Sequence, residues 1–330
     1  MSAALHNPSL AWRLPPLRGR SIAEAPLAPF TWFRVGGPAE ILVRPADTPD
    51  LAEFLASLPP EIPLTVIGAA SNLIIRDGGV PGVVIRLSAR GFGAISVEPG
   101  GIVAGAAALD VTVAEAAAAA GLTGLEFLCG IPGTIGGAVA MNAGAYGGDL
   151  SEVLEWAEIV SRSGETRLLS TAELALAYRT SSLPPGAVVV RARLRARSGH
   201  PAAIAERMAA IRSSREATQP VRARTGGSTF RNPPGAKAWE LIAAAGCRGL
   251  ARGAAVVSEK HCNFLINTGA ATAADIEALG EEVRARVQST TGINLEWEIR
   301  RLGRPAADRP SAEHARTSSS EEAPARGKQQ

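Results

Sequence analysis

Residues 121–148 read GLTGLEFLCGIPGTIGGAVAMNAGAYGG. Nine of these 28 residues are glycine, at 121, 124, 130, 133, 136, 137, 144, 147 and 148, and no carboxylate or cation lies between Glu126 and Asp149. Glycine loses more backbone freedom on folding than any other residue, so this density needs a compensating contact. The stretch is neither a good helix nor a solvated loop. Bare backbone N–H groups and missing side chains suit close approach of a large, flat, anionic cofactor, with Pro132 stiffening the centre and Asn142 offering an amide. The plainer alternative is a tight turn packed inside a sheet domain.

Outward from this stretch, the chain alternates short strands and helices. Ile41–Arg44 reads as a strand, and residues 47–58 as a helix with Thr48 or Asp50 as its cap. Leu64–Ile67 is a buried strand that runs into Gly68-Ala-Ala-Ser-Asn72; strands follow at Leu73–Ile75 and Val83–Leu87. Residues 95–104 form a hairpin, and 110–120 an alanine-rich helix with Asp110 as cap. A second hairpin spans 153–169, Thr171 caps a short helix, and Val188–Ala196 alternates as a strand. Composition changes at Ser198-Gly-His-Pro201. Beyond it come helices at 201–215, 237–245 and 272–288 and strands at 263–267 and 295–302. Five spans result: a loose lead-in over 1–20, sheet subdomains over 21–90 and 91–198, a C-terminal α+β domain over 199–303, and a disordered tail over 304–330.

Composition narrows the function classes. The 34 cations and 31 carboxylates leave a net charge of +3, too even for a general nucleic-acid or membrane binder. Three cysteines, 129, 247 and 262, stand far apart with no metal-ligand spacing, so reduced thiols and a cytoplasmic setting are expected and no metal is. No signal-peptide pattern opens the chain and no apolar run reaches 18 residues.

Gly68–Asn72 is a sharp turn after a buried strand. Its Ser71 hydroxyl, Asn72 amide and successive N–H groups suit a pyrophosphate, and suit an ordinary Asx turn equally well. No GxGxxG opens a helix and no GxxxxGK[ST] is present, so a dinucleotide would be held by some other architecture.

Five motifs in order carry a resemblance: GAASNL (68–73), LEFLCGIPGTIGGAVAMNAGAYG (125–147), YRTSSL (178–183), GGSTFRNP (226–233) and LEWEIR (295–300). Together they resemble the UDP-N-acetylenolpyruvoylglucosamine reductase family. The resemblance implies an α+β chain: a two-subdomain FAD-binding fold of the vanillyl-alcohol-oxidase type plus a C-terminal α+β substrate domain. It implies non-covalent FAD held by Gly68, Ala69, Ser71, Asn72, Leu73, Ile131, Pro132, Gly133, Gly136, Gly137, Asn142, Gly144, Ala145 and Gly147. NADPH would be the co-substrate, and a UDP-sugar enolpyruvyl ether would take hydride from flavin N5 at its β-carbon. By the same resemblance Arg179 holds the substrate carboxylate and its developing charge, and Ser228 protonates the α-carbon. Glu298 stabilises or orients the enol, or relays a proton. Strand alternation would put Glu296 and Glu298 on one face of LEWEIR.

Candidate cations and amides for the UDP moiety are Arg212, Arg215, Asn232, Lys237, Lys260 and His261. A monomer working on small molecules is expected. Two departures show: Ala70 stands where the family turn carries glycine, costing about 1 kcal/mol if that residue needs φ > 0, and Trp32 replaces a small residue. Only Tyr146 and Tyr178 are present, so the family's tyrosine-bearing insertion is missing and the shorter subclass is implied. An oxidase of the same fold and a flavin-binding module without catalysis stay open as alternatives; no histidine lies in the flavin region to tether FAD.

Overall fold

The computed structural model describes residues 10–306. Four strands, Arg20–Pro26, Pro38–Arg44, Val80–Ile85 and Leu64–Val66, stand in that order in the first sheet. The first pair is antiparallel and the other two pairs are parallel. Helix Thr48–Ser57 buries Leu51, Phe54 and Leu55 against this sheet at the 3.6-residue period the sequence shows. Its cap is Asp47, whose side chain accepts from the Asp50 N–H. Asp50 is not a cap: it is buried and accepts from the N–H groups of Arg18, Gly19 and Ala46 at 2.7, 3.0 and 2.7 Å.

That carboxylate fastens the start of the chain. Residues 10–20 are accordingly not a loose lead-in. Leu10–Arg13 is a 3-10 turn, and Leu10, Leu14 and Leu17 pack on the first sheet's core. Residues 1–9 lie outside the described range. Asp50→Ala would strand three backbone donors, so it should cost about 3 kcal/mol or more of stability. Urea denaturation reads this as a fall in midpoint at unchanged slope.

The second sheet is antiparallel throughout, in the order Thr166–Ser170, Leu154–Val160, Val188–Arg195, Gly101–Gly105, Ile95–Glu98. Helices Asp110–Ala119 and Pro201–Thr218 cover one face; Ile204, Met208 and Ile211 of the latter belong to this core. The helix after Ser198 therefore belongs physically to the second subdomain, and the break that composition put at 198 falls after Thr218. The short helix Thr171–Leu174 is capped by Ser170 with Glu173 in a reciprocal box, one residue before the expected Thr171.

The glycine stretch does contain a helix, Ile135–Met141. A helix forms where the glycine density argued against one, and packing is the reason. A Cβ on Gly136 would lie 2.9 Å from the Ala106 Cβ, and the Gly136 N–H donates to the Ala106 carbonyl at 2.9 Å. Only a residue without a side chain lets this helix rest directly on the end of strand Gly101–Gly105. Tertiary contact thus overrides glycine's poor helix propensity.

The third unit places helices Ala238–Ala244 and Ala273–Thr291 on a sheet of Ala251–Arg252, Ala255–Val257 and Leu265–Asn267. Phe33, Val35 and Ile74 of the first subdomain complete its core, and the Asn267 amide donates to the Phe33 carbonyl at 2.8 Å. The last strand is shorter than expected, Arg300–Leu302, and runs parallel to Leu73–Ile75. Arg304 continues this pairing with Gly78 and Gly79 (both 2.9 Å), so the ordered chain passes the expected end at 303. The expected tail lies outside the described residues from 307 onward.

Candidate active site

Two adjoining cavities open where the three units meet. The larger, about 1090 Å³, is lined by Arg34, Arg44, Arg86, Arg222, Arg224 and Arg300, with no carboxylate in its wall. Arg86 lies over the Phe30 ring at 4.6 Å, and its Nε finds no acceptor among the described residues. Burial, with Arg44 nearby, lowers its pKa from the usual value. An unpaired, partly buried guanidinium against an aromatic ring suits a phosphorylated aromatic ligand. The smaller cavity, about 310 Å³, is contiguous with it through Gly68, Ala69, Thr134 and Gly137.

The turn at 68–72 separates the two. Its Gly68–Ser71 N–H groups donate to no acceptor among the described residues, and a Cβ on Gly68 would meet the Thr134 hydroxyl at 2.6 Å. Ala70 has φ +51°, so the residue that departs from glycine stands in the left-handed region. Asn72 ties this turn to the 295–300 segment: its amide donates to the Glu298 carbonyl at 3.2 Å, and the Arg300 N–H donates to the Asn72 carbonyl at 3.1 Å. Trp32 lines both cavities, its N–H bonded to the Ala70 carbonyl.

Of the residues expected at the cofactor, Gly68, Ala69, Ser71, Asn72, Leu73, Ile131, Pro132, Gly133, Gly136, Gly137, Gly144 and Ala145 line these walls. Asn142 does not. It is the left-handed C-cap of helix Ile135–Met141, and its amide is spent within the protein: Nδ2 donates to the Ala177 carbonyl at 3.1 Å and Oδ1 accepts from the Ser151 N–H at 2.9 Å. Gly147 is also outside; its φ of +81° serves the turn there. Gly136 lines the wall, but its N–H is spent on Ala106.

Arg179, Ser228 and Glu298 all line the smaller cavity. Arg179 holds φ +56°, a strained value for a residue other than glycine, at the cavity wall. Its Nε donates to Glu298 Oε1 at 2.6 Å and its Nη2 to the Gly144 carbonyl at 3.0 Å. Two of its five N–H bonds are used there, leaving the rest for a ligand. Glu298 and Glu296 do not share a fate. The Glu298 side chain is 12% exposed, whereas that of Glu296 is 77% exposed beside Arg231. Ser228 stands in a loop pinned on both sides: the Thr229 N–H donates to the Asn263 carbonyl at 2.7 Å, and the Thr229 carbonyl accepts from the Glu298 N–H at 2.8 Å.

Among the residues expected to bind the UDP moiety, only Arg215 reaches the cavity. Its Nε is unpartnered among the described residues, and burial lowers its pKa. Arg212, on the same helix, pairs with Glu115 at 2.8 Å. Asn232 Oδ1 accepts from the Ala238 N–H at 3.0 Å, and Lys237 precedes that helix as its N-cap. Lys260 donates to the Glu216 carbonyl, and the His261 ring packs edge-on against Phe264 at 4.8 Å. None of these five lines either cavity. The sequence reading missed the arginine cleft, Thr134, Gln219 and Asp110. Asp110 is no cap: Leu109 takes that position, and the Asp110 carboxyl is buried without a partner among the described residues.

The walls fit FAD: open N–H groups at the 68–71 turn, a cationic cleft for phosphates, and side-chain-poor backbone beside the smaller cavity. The comparisons agree. Residues 39–170 match the FAD binding domain family, and residues 219–302 match the C-terminal domain of UDP-N-acetylenolpyruvoylglucosamine reductase. The chain is 68% identical over 296 residues to UDP-N-acetylenolpyruvoylglucosamine reductase of Acidiphilium cryptum (strain JF-5), covering 89% of this chain and 96% of that protein. It is 65% identical to the enzyme of that name from Granulibacter bethesdensis, over 88% of this chain and 93% of the relative. The crystal structure of the enzyme from Thermus caldophilus superposes with a TM-score of 0.75 at 37% identity, covering 87% of this chain and all of that one. The chain thus carries an FAD-binding domain and belongs to the UDP-N-acetylenolpyruvoylglucosamine reductase family of flavoprotein oxidoreductases, which serve peptidoglycan synthesis.

Proposed function

We propose that the protein reduces UDP-N-acetylenolpyruvoylglucosamine to UDP-N-acetylmuramate with NADPH as electron source, in the cytoplasm. One observation carries this reading. Arg179, Ser228 and Glu298, 119 residues apart at the extremes, line one cavity beside the FAD-binding glycine stretch. Bound FAD would supply the two-electron redox chemistry between NADPH and the enolpyruvyl double bond.

The protein's own groups do the rest. Arg179 is oriented by Glu298 and the Gly144 carbonyl. Its remaining N–H bonds face the substrate carboxylate, where negative charge grows as the α-carbon becomes carbanionic. A donor fixed before the reaction needs no reorganisation as that charge appears. Ser228 supplies a proton to the α-carbon from a loop held between Asn263 and Glu298. Arg215, with an idle Nε in the wall, holds a phosphate of the UDP group. Three buried, unpaired cysteines suit a reducing compartment. Among the described residues no helix is long and apolar enough to cross a membrane.

An anaerobic titration tests the reading. NADPH should bleach the visible flavin band, and the enolpyruvyl substrate should restore it without oxygen. Flavin that NADPH leaves oxidised, or that only oxygen restores, would instead favour a binding module or an oxidase.

A further inference from the structure

Asp110 is a buried carboxyl that the proposed reaction leaves unused. It is fully buried, neither carboxylate oxygen has a hydrogen-bond partner among the described residues, and it lines the smaller cavity with Arg179, Ser228 and Glu298. Its Oδ2 stands directly behind the Pro132–Gly133–Thr134 loop: a Cβ on Gly133 would come within 2.5 Å of it. The backbone locks this position, since the Asp110 N–H donates to the Gly133 carbonyl at 3.2 Å and Leu109 bridges Thr134. A buried polar group without a partner is costly, and it persists where a ligand completes it.

We infer that Asp110 is a positioning residue for the flavin: as a neutral carboxylic acid it donates a hydrogen bond to an acceptor on the isoalloxazine ring. The ring is the partner rather than the FAD pyrophosphate, because Asp110 lines only the smaller cavity, together with Arg179, Ser228 and Glu298, whereas the six-arginine cleft lines the larger one. Burial alone pushes its pKa up to about 8, so the acid keeps its proton at neutral pH. The elements around Asp110 carry other charged and titratable groups. Helix Asp110–Ala119 carries Glu115, the packed turn Glu126–Gly130 carries Glu126 and Cys129, helix Pro201–Thr218 carries Arg207, Arg212 and Arg215, and the shared cavity holds Arg179, Glu298 and Arg300. None contributes to the shift.

The inference rests on FAD being the cofactor. FAD titrated into the apoprotein, with fluorescence quenching as readout, keeps the two questions apart, because wild-type apoprotein that takes up no FAD would overturn the cofactor and not the residue. A donor that must stay protonated gives full affinity below its pKa and loses it above. Wild-type affinity should therefore fall severalfold between pH 7 and pH 9.5. Asp110→Asn keeps a donor of the same shape; it should bind as the wild type does at pH 7 and lose most of that fall. Asp110→Ala should bind about tenfold more weakly at pH 7, the worth of one hydrogen bond, with a displaced visible flavin band. The inference is overturned if Asp110→Ala binds FAD with wild-type affinity and spectrum. It is overturned equally if Asp110→Asn shows the wild-type pH fall, and this arm decides the matter should the alanine variant not fold.

Discussion

Arg179→Ala is expected to slow reoxidation of the reduced flavin by the enolpyruvyl substrate by about 10²–10³-fold, the worth of one well-aimed donor to a developing anion. Reduction of the same flavin by NADPH should stay near the wild-type rate, because no carboxylate charge develops in that step. Stopped-flow absorbance at the flavin band separates the two. The geometry also shapes the double variant. Glu298 is tied to Arg179 through a 2.6 Å bond in a partly buried setting. Once the guanidinium is gone, Glu298 has lost the group it orients, so Glu298→Gln should cost much less in the Arg179→Ala background than alone. Additive losses would mean that Glu298 acts on the substrate independently of Arg179. Lysine at 179 should rescue poorly, because an ammonium cannot meet the Glu298 carboxylate, the Gly144 carbonyl and the substrate from one planar fork.

The pairing of Arg179 with Glu298 shows what sequence could and could not deliver. The resemblance named both residues, but nothing in YRTSSL or LEWEIR says that the two side chains touch. That contact is made by the third unit's return: Arg300–Leu302 pairs with Leu73–Ile75, which swings Glu298 back over the turn at 68–72. Alternation along LEWEIR also suggested that Glu296 and Glu298 share a face. The segment before Arg300 is not regular strand, only a single bridge from Phe230 to Trp297, so the two carboxylates part company, one in the cavity and one in solvent.

Local patterns were legible where one residue type meets one backbone requirement. The turn at 68–72, the hairpin around Gly100 and the amphipathic helix ending at Gly292 follow from strand runs, positive-φ glycines and the 3.6-residue period. The arginine cleft had no such signal. Arg300 closes LEWEIR, but Arg34, Arg44, Arg86, Arg222 and Arg224 stand in none of the five motifs, and only the packing of three units gathers the six. The reverse error befell Asn142, Lys260 and His261. Each is a residue type that ligands favour, and each is already bound or packed within the protein. Counting the satisfied hydrogen bonds of a candidate is what separates such residues from Arg215 and Asp110, whose polar atoms are idle.

Ser228→Ala should give the most selective defect of the set. A hydroxyl is a weak acid in water, so its use as a proton donor depends on being held against the carbon that takes the proton. The loop supplies that hold: Gly226 lies so close to the Phe33 ring that a Cβ would meet it at 2.4 Å, Gly227 turns at φ +79°, and Thr229 is bonded on both sides. Removing the hydroxyl deletes the donor and leaves this scaffold intact, since the backbone bonds of the loop belong to Thr229. Loss of a positioned general acid costs about 10²–10⁴-fold, and it should fall wholly on reoxidation by the enolpyruvyl substrate. FAD affinity, the flavin spectrum and NADPH-driven bleaching should match the wild type. Solvent deuterium adds a second reading: the substrate half-reaction of the wild type should slow in D₂O if proton delivery from Ser228 limits it. Equal slowing of both half-reactions in Ser228→Ala would show that the serine shapes the cavity and does not deliver the proton.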